Sequence, residues 1–247
     1  MARITQEISA DWRFEYKYPL SMQDYYRVRC ALTPYMKKDS FSWAAPNGKY
    51  FVRSLYFDTS DFQNYQEKVG GDCDRVKLRI RTYTDQPNKD TMLRVEFKAR
   101  KGITVEKHQS WVPFDVFQHF MTTFHWPQTD DPVLLEFERY IHMKALQPKV
   151  IVQYYREGYS AITHEEIRAT FDHKVSSAHS TKLFPETAFF HKHHPGMVVF
   201  EIKSLKNQPS WLQKIIQEQA LCIKANSKYT QGIERACADV VIPSRSY

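Results

Sequence analysis

The sequence predicts an α+β protein built on an antiparallel β-barrel, closed or partly closed, with helices packed on its outside. At least five segments alternate apolar with charged residues, and turn-forming residues separate several of them. A strand has a side-chain period of two, so each such segment has one apolar and one charged face. Amphipathic helices need the apolar faces to pack on, so the charged faces are predicted to line the interior.

The clearest alternating segment is Arg75-Val-Lys-Leu-Arg-Ile-Arg81. Its aliphatic residues Val76, Leu78 and Ile80 share one face, and its four basic residues share the other. For one strand taken alone, a solvent-exposed cationic face is the usual arrangement. The same pattern in several strands favours an enclosed face that holds an anion.

The first part of the chain predicts a strand, a helix and a loop. Aromatic and charged residues alternate over 12–18, and Pro19 should end this strand. Ser21 is a suitable N-cap for a helix that runs to about Met36, and the polar segment 37–49 is predicted to be a loop.

The next part predicts a strand at 50–58 and a short helix at 62–69. Asp58 and Asp61 are suitable caps for this helix, and the glycine pair 70–71 should end it.

Three further strands are predicted at 75–83, 91–100 and 103–112. The turn-forming residues at 85–88 and Gly102 separate them, which is typical of antiparallel hairpins.

The remaining elements follow from the same periodicities. Phenylalanines at helical spacing predict a helix at 113–126, and a second apolar stripe predicts one at 131–145. Strands are then predicted at 149–157, 166–175 and 197–205, with an irregular segment at 176–196, a helix from Pro209 through Leu221 and a last helix from about Ser227.

The overall composition limits both the architecture and the class of ligand. The chain has 247 residues, which suits one large β domain or two small ones, and no internal repeat or linker divides it. We therefore expect a single domain over 1–247. It has seven glycines and neither a P-loop nor a dinucleotide-binding motif. The net charge of +7 favours anionic partners.

The four cysteines and the hydropathy profile indicate a cytoplasmic protein. The cysteines are scattered without CxxC spacing, so neither a disulfide framework nor a zinc site is expected. The sequence shows no signal peptide and no apolar run long enough to span a membrane.

The charged strand faces indicate phosphate chemistry. Clustered cations are unfavourable unless anions compensate them, and carboxylates occur on the same faces at Glu15, Glu96, Asp172 and Glu201. They are fewer than the basic residues, which leaves room for a polyanionic ligand. Carboxylates also suit Mg²⁺ or Mn²⁺, while arginine and lysine suit phosphate oxygens.

Eight short segments occur in an order that resembles a known family. They are Arg13-Phe-Glu-Tyr-Lys-Tyr18, Ser54-Leu-Tyr-Phe-Asp58, Lys77-Leu-Arg-Ile-Arg81, Glu96-Phe-Lys98, Tyr154-Tyr-Arg156, Arg168-Ala-Thr-Phe-Asp172, Glu201-Ile-Lys203 and Ser227-Lys-Tyr229. Together they resemble the VTC domain, the polyphosphate polymerase branch of the triphosphate tunnel metalloenzymes, a superfamily that includes the CYTH proteins. The resemblance spans nearly the whole chain.

This resemblance implies an antiparallel eight-stranded tunnel that binds ATP or another triphosphate, a polyphosphate chain and a divalent metal, Mn²⁺ or Mg²⁺. It assigns catalytic roles to Arg79, Arg81, Lys98 and Arg156, and substrate binding to Lys17, Lys107, Lys203, Tyr154, Ser227 and Lys228. Glu201 matches the metal-binding glutamate of the family, and Glu15, Glu96 and Asp172 are further candidate metal ligands.

Two departures from the family pattern affect the expected chemistry. Where the family's polymerases often have a lysine three positions before the final Lys228, this chain has Ala225, with Lys224 adjacent. Arg13 replaces the first glutamate of the Glu-x-Glu-x-Lys strand of many tunnel triphosphatases. The second departure weakens the hydrolase interpretation and favours the polymerase branch.

The sequence leaves several alternatives open. The main interpretation is ATP-dependent polyphosphate synthesis. The alternatives are a metal-dependent triphosphatase or cyclase of the same fold and a non-catalytic polyanion-binding module. No nucleic-acid partner is expected, and the oligomeric state is open. For Asp172, a role as a metal ligand and a role as a salt-bridge partner are equally consistent with the sequence. The segment His191-Lys-His-His194 is interpreted as a solvated loop rather than a metal cluster.

Overall fold

A computed structural model describes residues 14–101, 104–163, 166–204 and 208–237. The strands are β1 Phe14–Ser21, β2 Met36–Lys38, β3 Tyr50–Asp58, β4 Arg75–Thr82, β5 Met92–Lys101, β6 Thr104–Pro113, β7 Gln147–Ala161, β8 Arg168–His179, β9 His191–Lys192 and β10 Met197–Ser204. The α-helices are α1 Met22–Leu32, α2 Ser40–Ala44, α3 Gln63–Gly70, α4 Phe114–Thr123, α5 Pro132–Met143, α6 Ser210–Glu218 and α7 Lys228–Ala236. A 3₁₀ turn spans Pro46–Gly48.

The chain contains two compact units, each made of three segments. Unit 1 comprises residues 1–49, 157–172 and 196–225, and unit 2 comprises residues 50–156, 173–195 and 226–247. Strands β7 and β8 contribute residues to both units. The expectation of a single domain stays a prediction.

In unit 1, β1 pairs antiparallel with β10, and β10 neighbours β8. The end of β7 lies next to β8 and pairs with β2. Its core includes Tyr18, Phe171 and Phe200, and the last two rings stack with centroids 4.7 Å apart. Helices α1 and α6 bury their apolar faces in this core.

The start of unit 1 differs from the prediction in three details. The segment 37–49, predicted to be a loop, contains part of β2, helix α2 and the 3₁₀ turn, because Asp39 caps α2 through the Ser42 backbone N–H. The other two concern α1 and Pro19. Ser21 caps α1 as expected, because its side chain accepts from the Asp24 backbone N–H, but the helix ends at Leu32. Pro19 does not end β1; it lies opposite Val199 within the strand. Among the described residues of unit 1, β10 is the one strand paired with β1, and a strand with one partner tolerates a missing N–H. The predicted start of this strand, including Arg13, lies outside the described residues.

Unit 2 has the strand order β8-β7-β3-β4-β5-β6, with β9 beside β8. The β3–β4, β4–β5, β5–β6 and β3–β7 pairs are antiparallel. The aliphatic residues of β4 and β5 form one core with the aromatic residues of α4 and α5, including Phe120 and Phe137. The α+β class with a large antiparallel sheet is therefore confirmed.

Most predicted elements of unit 2 are confirmed, and the errors lie in β7 and β8. Strand β3 has the predicted bounds, and β4 to β6 agree to within about two residues. Strand β7 runs from Gln147 to Ala161, longer than predicted at both ends. The segment 176–179, predicted to be irregular, continues β8, and β9 pairs with it.

Asp58 caps α3 and also fixes α7. Its carboxylate accepts from the backbone N–H groups of Thr59, Asn64 and Tyr65 at 2.8, 2.8 and 3.1 Å, so the predicted cap is confirmed. The buried Tyr229 hydroxyl of α7 donates to the same carboxylate. Asp61 does not cap the helix directly; it accepts from the Thr59 hydroxyl.

The histidine segment at 191–194 is only partly solvated. His191 and His194 are exposed, but His193 is buried, with Nδ1 3.2 Å from Gln231 Oε1 and Nε2 3.1 Å from Ser177 Oγ. Burial lowers the pKa of His193 to about 4. The interpretation of this segment as a solvated loop was therefore wrong for His193.

Burial of neutral His193 predicts a pH dependence of stability. Between pH 6.5 and about 4 the unfolded chain binds a proton that the folded protein does not, so stability falls as the pH falls. The full loss amounts to about 3 kcal/mol below the folded pKa. Chemical unfolding of His193→Gln between pH 4 and 7 should show a shallower decline than wild type.

His119→Gln is the matched control, because His119 is exposed on α4. It should keep the wild-type pH dependence. An equally steep decline in His193→Gln would contradict the assignment.

No helix in the described part of the chain has both the length and the apolar character needed to cross a bilayer.

Candidate functional site

The polar face of β4, β5 and β6 in unit 2 holds basic side chains directly opposite one another. The cross-strand pairs include Arg75 with Arg100, Arg81 with Arg94, and the row of Lys77, Lys98 and Lys107. Like charges in opposite positions repel each other. We call this surface the cationic face; its basic residues are Arg75, Lys77, Arg79, Arg81, Arg94, Lys98, Arg100 and Lys107.

Glu96 is the one carboxylate within this set of β4–β6 face positions, and it is buried. Its Oε2 lies 2.7 Å from Arg79 Nε and 3.6 Å from Arg81 Nε. Its Oε1 lies 3.1 Å from Lys107 Nζ and 3.7 Å from Arg94 Nε. One negative charge is thus shared among four cations, which leaves net positive charge on the face.

The shared carboxylate changes the pKa values of the cluster. Burial alone would raise the pKa of Glu96, but Arg79 and Arg81 lower it far below the usual range, so the carboxylate stays ionised. Burial lowers the pKa of Lys107 to about 8; Glu96 opposes this effect, and Arg79 and Arg94 add to it. A bound anion would stabilise the charged form of Lys107.

Hydroxyl groups of β3 orient the two central arginines. Arg79 Nη1 donates to the Tyr56 hydroxyl at 3.1 Å, and Arg81 Nε donates to Ser54 Oγ at 3.2 Å. Burial would raise the pKa of Tyr56, but Arg79 and Arg81 lower it overall. The arginine side chains are therefore held in place before any ligand binds.

The start of α7 and strand β7 supply further cations beside aromatic rings. Lys228 Nζ and the Arg156 guanidinium lie 5.0 and 5.1 Å from the centroid of the Tyr154 ring. Lys77 Nζ lies 3.4 Å from Ser227 Oγ and 5.3 Å from the centroid of the Tyr229 ring. Cation–π contacts at these distances help to hold the ammonium and guanidinium groups.

A close approach of α7 to the sheet depends on Gly232. A Cβ atom at this position would lie 3.1 Å from Val152 Cγ2 and 3.5 Å from Val150 Cγ2, both on β7. Together with the Tyr229–Asp58 hydrogen bond, this contact fixes the position of Ser227 and Lys228.

Unit 1 holds a second charged group, formed by alternate residues of β1 and β10. Glu15 lies opposite Lys203, and Lys17 lies opposite Glu201. Lys17 Nζ is 2.7 Å from Glu15 Oε1 and 3.8 Å from Glu201 Oε2, and Lys203 Nζ is 3.1 Å from Glu201 Oε1. Burial and Glu201 would raise the pKa of Glu15, but Lys17 and Lys203 lower it overall.

The donor set of unit 1 fits a divalent cation better than Glu96 does. Glu15 and Glu201 are two carboxylates close enough to affect each other's pKa, and oxygen donors suit Mg²⁺ and Mn²⁺. Asp172 is fully buried on the strand next to β10, and the Phe171–Phe200 stack places Asp172 on the same face as Glu201. Glu96, in contrast, is surrounded by four cations and does not suit a metal.

The structure gathers the sequence-predicted residues into two groups. Unit 2 contains Arg79, Arg81, Lys98, Arg156, Lys107, Tyr154, Ser227, Lys228 and Glu96, and unit 1 contains Lys17, Lys203, Glu15, Glu201 and Asp172. Ala225 is exposed, and the backbone N–H of the adjacent Lys224 donates to the Lys17 carbonyl oxygen at 2.9 Å.

Sequence reasoning missed Tyr56, Ser54 and Arg94 as parts of the cluster. Arg94 belongs to a recognised alternating segment, so its face was predictable. Tyr56 and Ser54 join the cluster because of the β3–β4 register, which places them opposite Arg79 and Arg81.

Glu96→Gln should destabilise the protein by about 3–5 kcal/mol, because it leaves four neighbouring cations uncompensated. Inorganic tripolyphosphate should then raise the melting temperature of this variant more than that of wild type, since a bound anion replaces the lost charge. Thermal unfolding with and without tripolyphosphate measures both effects.

Glu106→Gln is the control, because Glu106 lies on β6 but is exposed. Equal melting temperatures for the two variants, with equal responses to tripolyphosphate, would show that Glu96 does not hold the cluster together.

Comparison with known proteins identifies the family. The model of the VTC domain matches residues 12–237, so the chain belongs to the VTC domain family. A search of curated proteins gave no match.

The solved structures that this chain matches include two proteins described as putative adenylate cyclases. The one from Bacillus halodurans is 13% identical, with 88% of this chain and 94% of that chain covered and a TM-score of 0.54. The one from Vibrio parahaemolyticus is 10% identical, with 90% and 97% covered and a TM-score of 0.45. At these identities the likeness of the first structure shows a shared fold.

Proposed function

We propose that this protein binds the phosphate chain of ATP and of inorganic polyphosphate, and transfers the terminal phosphoryl group of ATP to the growing polyphosphate chain. The observation that supports this most directly is the cationic face, where one buried carboxylate is shared among four of the basic side chains. Membership of the VTC domain family favours this polymer over other polyanions.

The cationic face suits the requirements of phosphoryl transfer. Such reactions need positioned groups and neutralised charge more than covalent chemistry. The planar guanidinium groups of Arg79 and Arg81 can each donate two hydrogen bonds to a phosphate group. Because Glu96, Tyr56 and Ser54 already orient them, little reorganisation is required when charge develops.

Glu201 and Glu15 are our proposed ligands for Mn²⁺ or Mg²⁺, with Asp172 on the same face. A bound divalent ion would neutralise part of the phosphate charge. Lys17 and Lys203 already pair with these carboxylates, so they can turn to phosphate oxygens when a cation takes their place. A cytoplasmic location is also proposed, from the scattered, unpaired cysteines at positions 30, 73, 222 and 237.

Arg79→Ala should reduce phosphoryl transfer about 100- to 1,000-fold, because one charge-stabilising donor is lost. The assay incubates the protein with ATP and Mn²⁺ or Mg²⁺ and resolves the products on a urea gel. Long polymers support the polymerase. Release of phosphate without polymer would show that the protein is a triphosphatase instead. Binding without turnover would show that it is a polyanion-binding module.

Arg139→Ala is the matched control, since Arg139 pairs with Glu136 on the exposed side of α5. Equal turnover of both variants would remove Arg79 from the mechanism.

Glu201→Gln should raise the Mn²⁺ concentration that gives half-maximal turnover by at least about tenfold, because one carboxylate ligand loses its charge. Tripolyphosphate binding without metal should persist, since the cations of unit 2 are unchanged. Glu218→Gln on α6 is the control, because Glu218 is exposed and pairs only at 3.7 Å with Lys214. An unchanged metal dependence in Glu201→Gln would exclude Glu201 as a ligand.

A further inference from the structure

A group of two histidines and a glutamate lies in unit 2 away from the proposed phosphate-binding residues. His125 follows the end of α4, and Glu138 and His142 lie four residues apart on α5. One ligand atom of each side chain lies within 4.8 Å of the other two, and this is the one such group of three among the described residues. We propose that it binds a divalent transition-metal ion of the Zn²⁺ class.

The donor set and its geometry match such an ion. Two imidazoles and one carboxylate, with a further position open to water, are a common ligand set for Zn²⁺. Residues four apart on a helix lie on the same side, so Glu138 and His142 face His125 together. Zinc lies about 2.0–2.2 Å from such ligands, so in its usual tetrahedral geometry the ligand atoms are about 3.3–3.6 Å apart. The three side chains are exposed or half-exposed, so they can rotate from their present spacing to this one.

Backbone hydrogen bonds already orient two of the three ligands. The Trp126 backbone N–H donates to Glu138 Oε2 at 2.7 Å, which leaves Oε1 for the ion. His142 Nε2 donates to the Phe124 carbonyl oxygen at 3.1 Å, which leaves Nδ1 with its lone pair. Metal-bound histidines usually donate their other ring N–H in this way.

The contact between His125 and Glu138 marks the position that the ion would take. His125 Nδ1 lies 2.8 Å from Glu138 Oε1, and the centroids of the stacked His125 and His142 rings lie 4.6 Å apart. A divalent ion would replace the proton shared by Nδ1 and Oε1. It would then tie the segment after α4 to α5.

The test is titration of the full-length protein with Co²⁺, followed by its visible absorption bands, and competition by Zn²⁺. Wild type is expected to bind one equivalent at this group with bands typical of nitrogen and oxygen ligands. His142→Gln and His125→Gln should each weaken Zn²⁺ binding at least about tenfold. His119→Gln, which alters an exposed histidine of α4, should bind as wild type does.

Glu201→Gln separates this site from the metal ligands proposed above. If it retains the Co²⁺ spectrum while His142→Gln loses it, the site is the histidine–glutamate group, whatever the outcome of the activity assays. Equal Zn²⁺ affinity of wild type, His125→Gln and His142→Gln, all folded by circular dichroism, would overturn the proposal. So would loss of the spectrum in Glu201→Gln alone.

Discussion

The charge balance around Glu96 is the constraint on which the rest of unit 2 depends. Cross-strand pairing places arginine opposite arginine and lysine opposite lysine, so the sheet would be destabilised by repulsion without a compensating anion. Glu96 compensates part of this charge from a buried position, where its carboxylate interacts more strongly than it would in water. Stability and attraction for anions are therefore two effects of the same arrangement.

Aromatic side chains contact three cations that do not pair with Glu96: Lys77, Arg156 and Lys228. Tyr154 contacts both Lys228 and Arg156, and Tyr229 contacts Lys77 while it is anchored to Asp58. An aromatic ring attracts a cation without neutralising it. The face thus keeps its positive charge although its side chains are fixed, which is the preorganisation that binding of a polyanion requires.

The sequence was informative where its periodicity had one interpretation. The alternation around Arg79 and Glu96 predicted strands β4 and β5 and assigned their side chains to faces correctly. Strand β7 was predicted too short, since its ends lack a clear alternation. Pro19 was misinterpreted because the effect of a proline depends on how many partners its strand has. His193 was interpreted as solvated because tertiary packing, which local composition does not show, decides its burial.

The residues of the candidate site were proposed from the sequence, and their contacts are seen only in the structure. The family resemblance assigned Arg79, Glu201 and Lys228, whereas the roles of Tyr56 and Ser54 follow from the register of β3 against β4. The alternation within β3 and β4 assigns side chains to faces, but it does not distinguish registers that differ by two residues, so these contacts could not be predicted.

The interleaving of the two units has a consequence for how the chain is made. Each unit is built from three separate segments, and the last described segment, which includes α7, completes unit 2. During synthesis from the N-terminus, the ribosome must therefore release Ser227 and Lys228 before the cationic face has its full set of neighbours. No single cut of the chain separates the two units, because any fragment that holds one unit whole also carries incomplete segments of the other. Fragments of this protein are therefore poor substitutes for the intact polypeptide in expression and in assay.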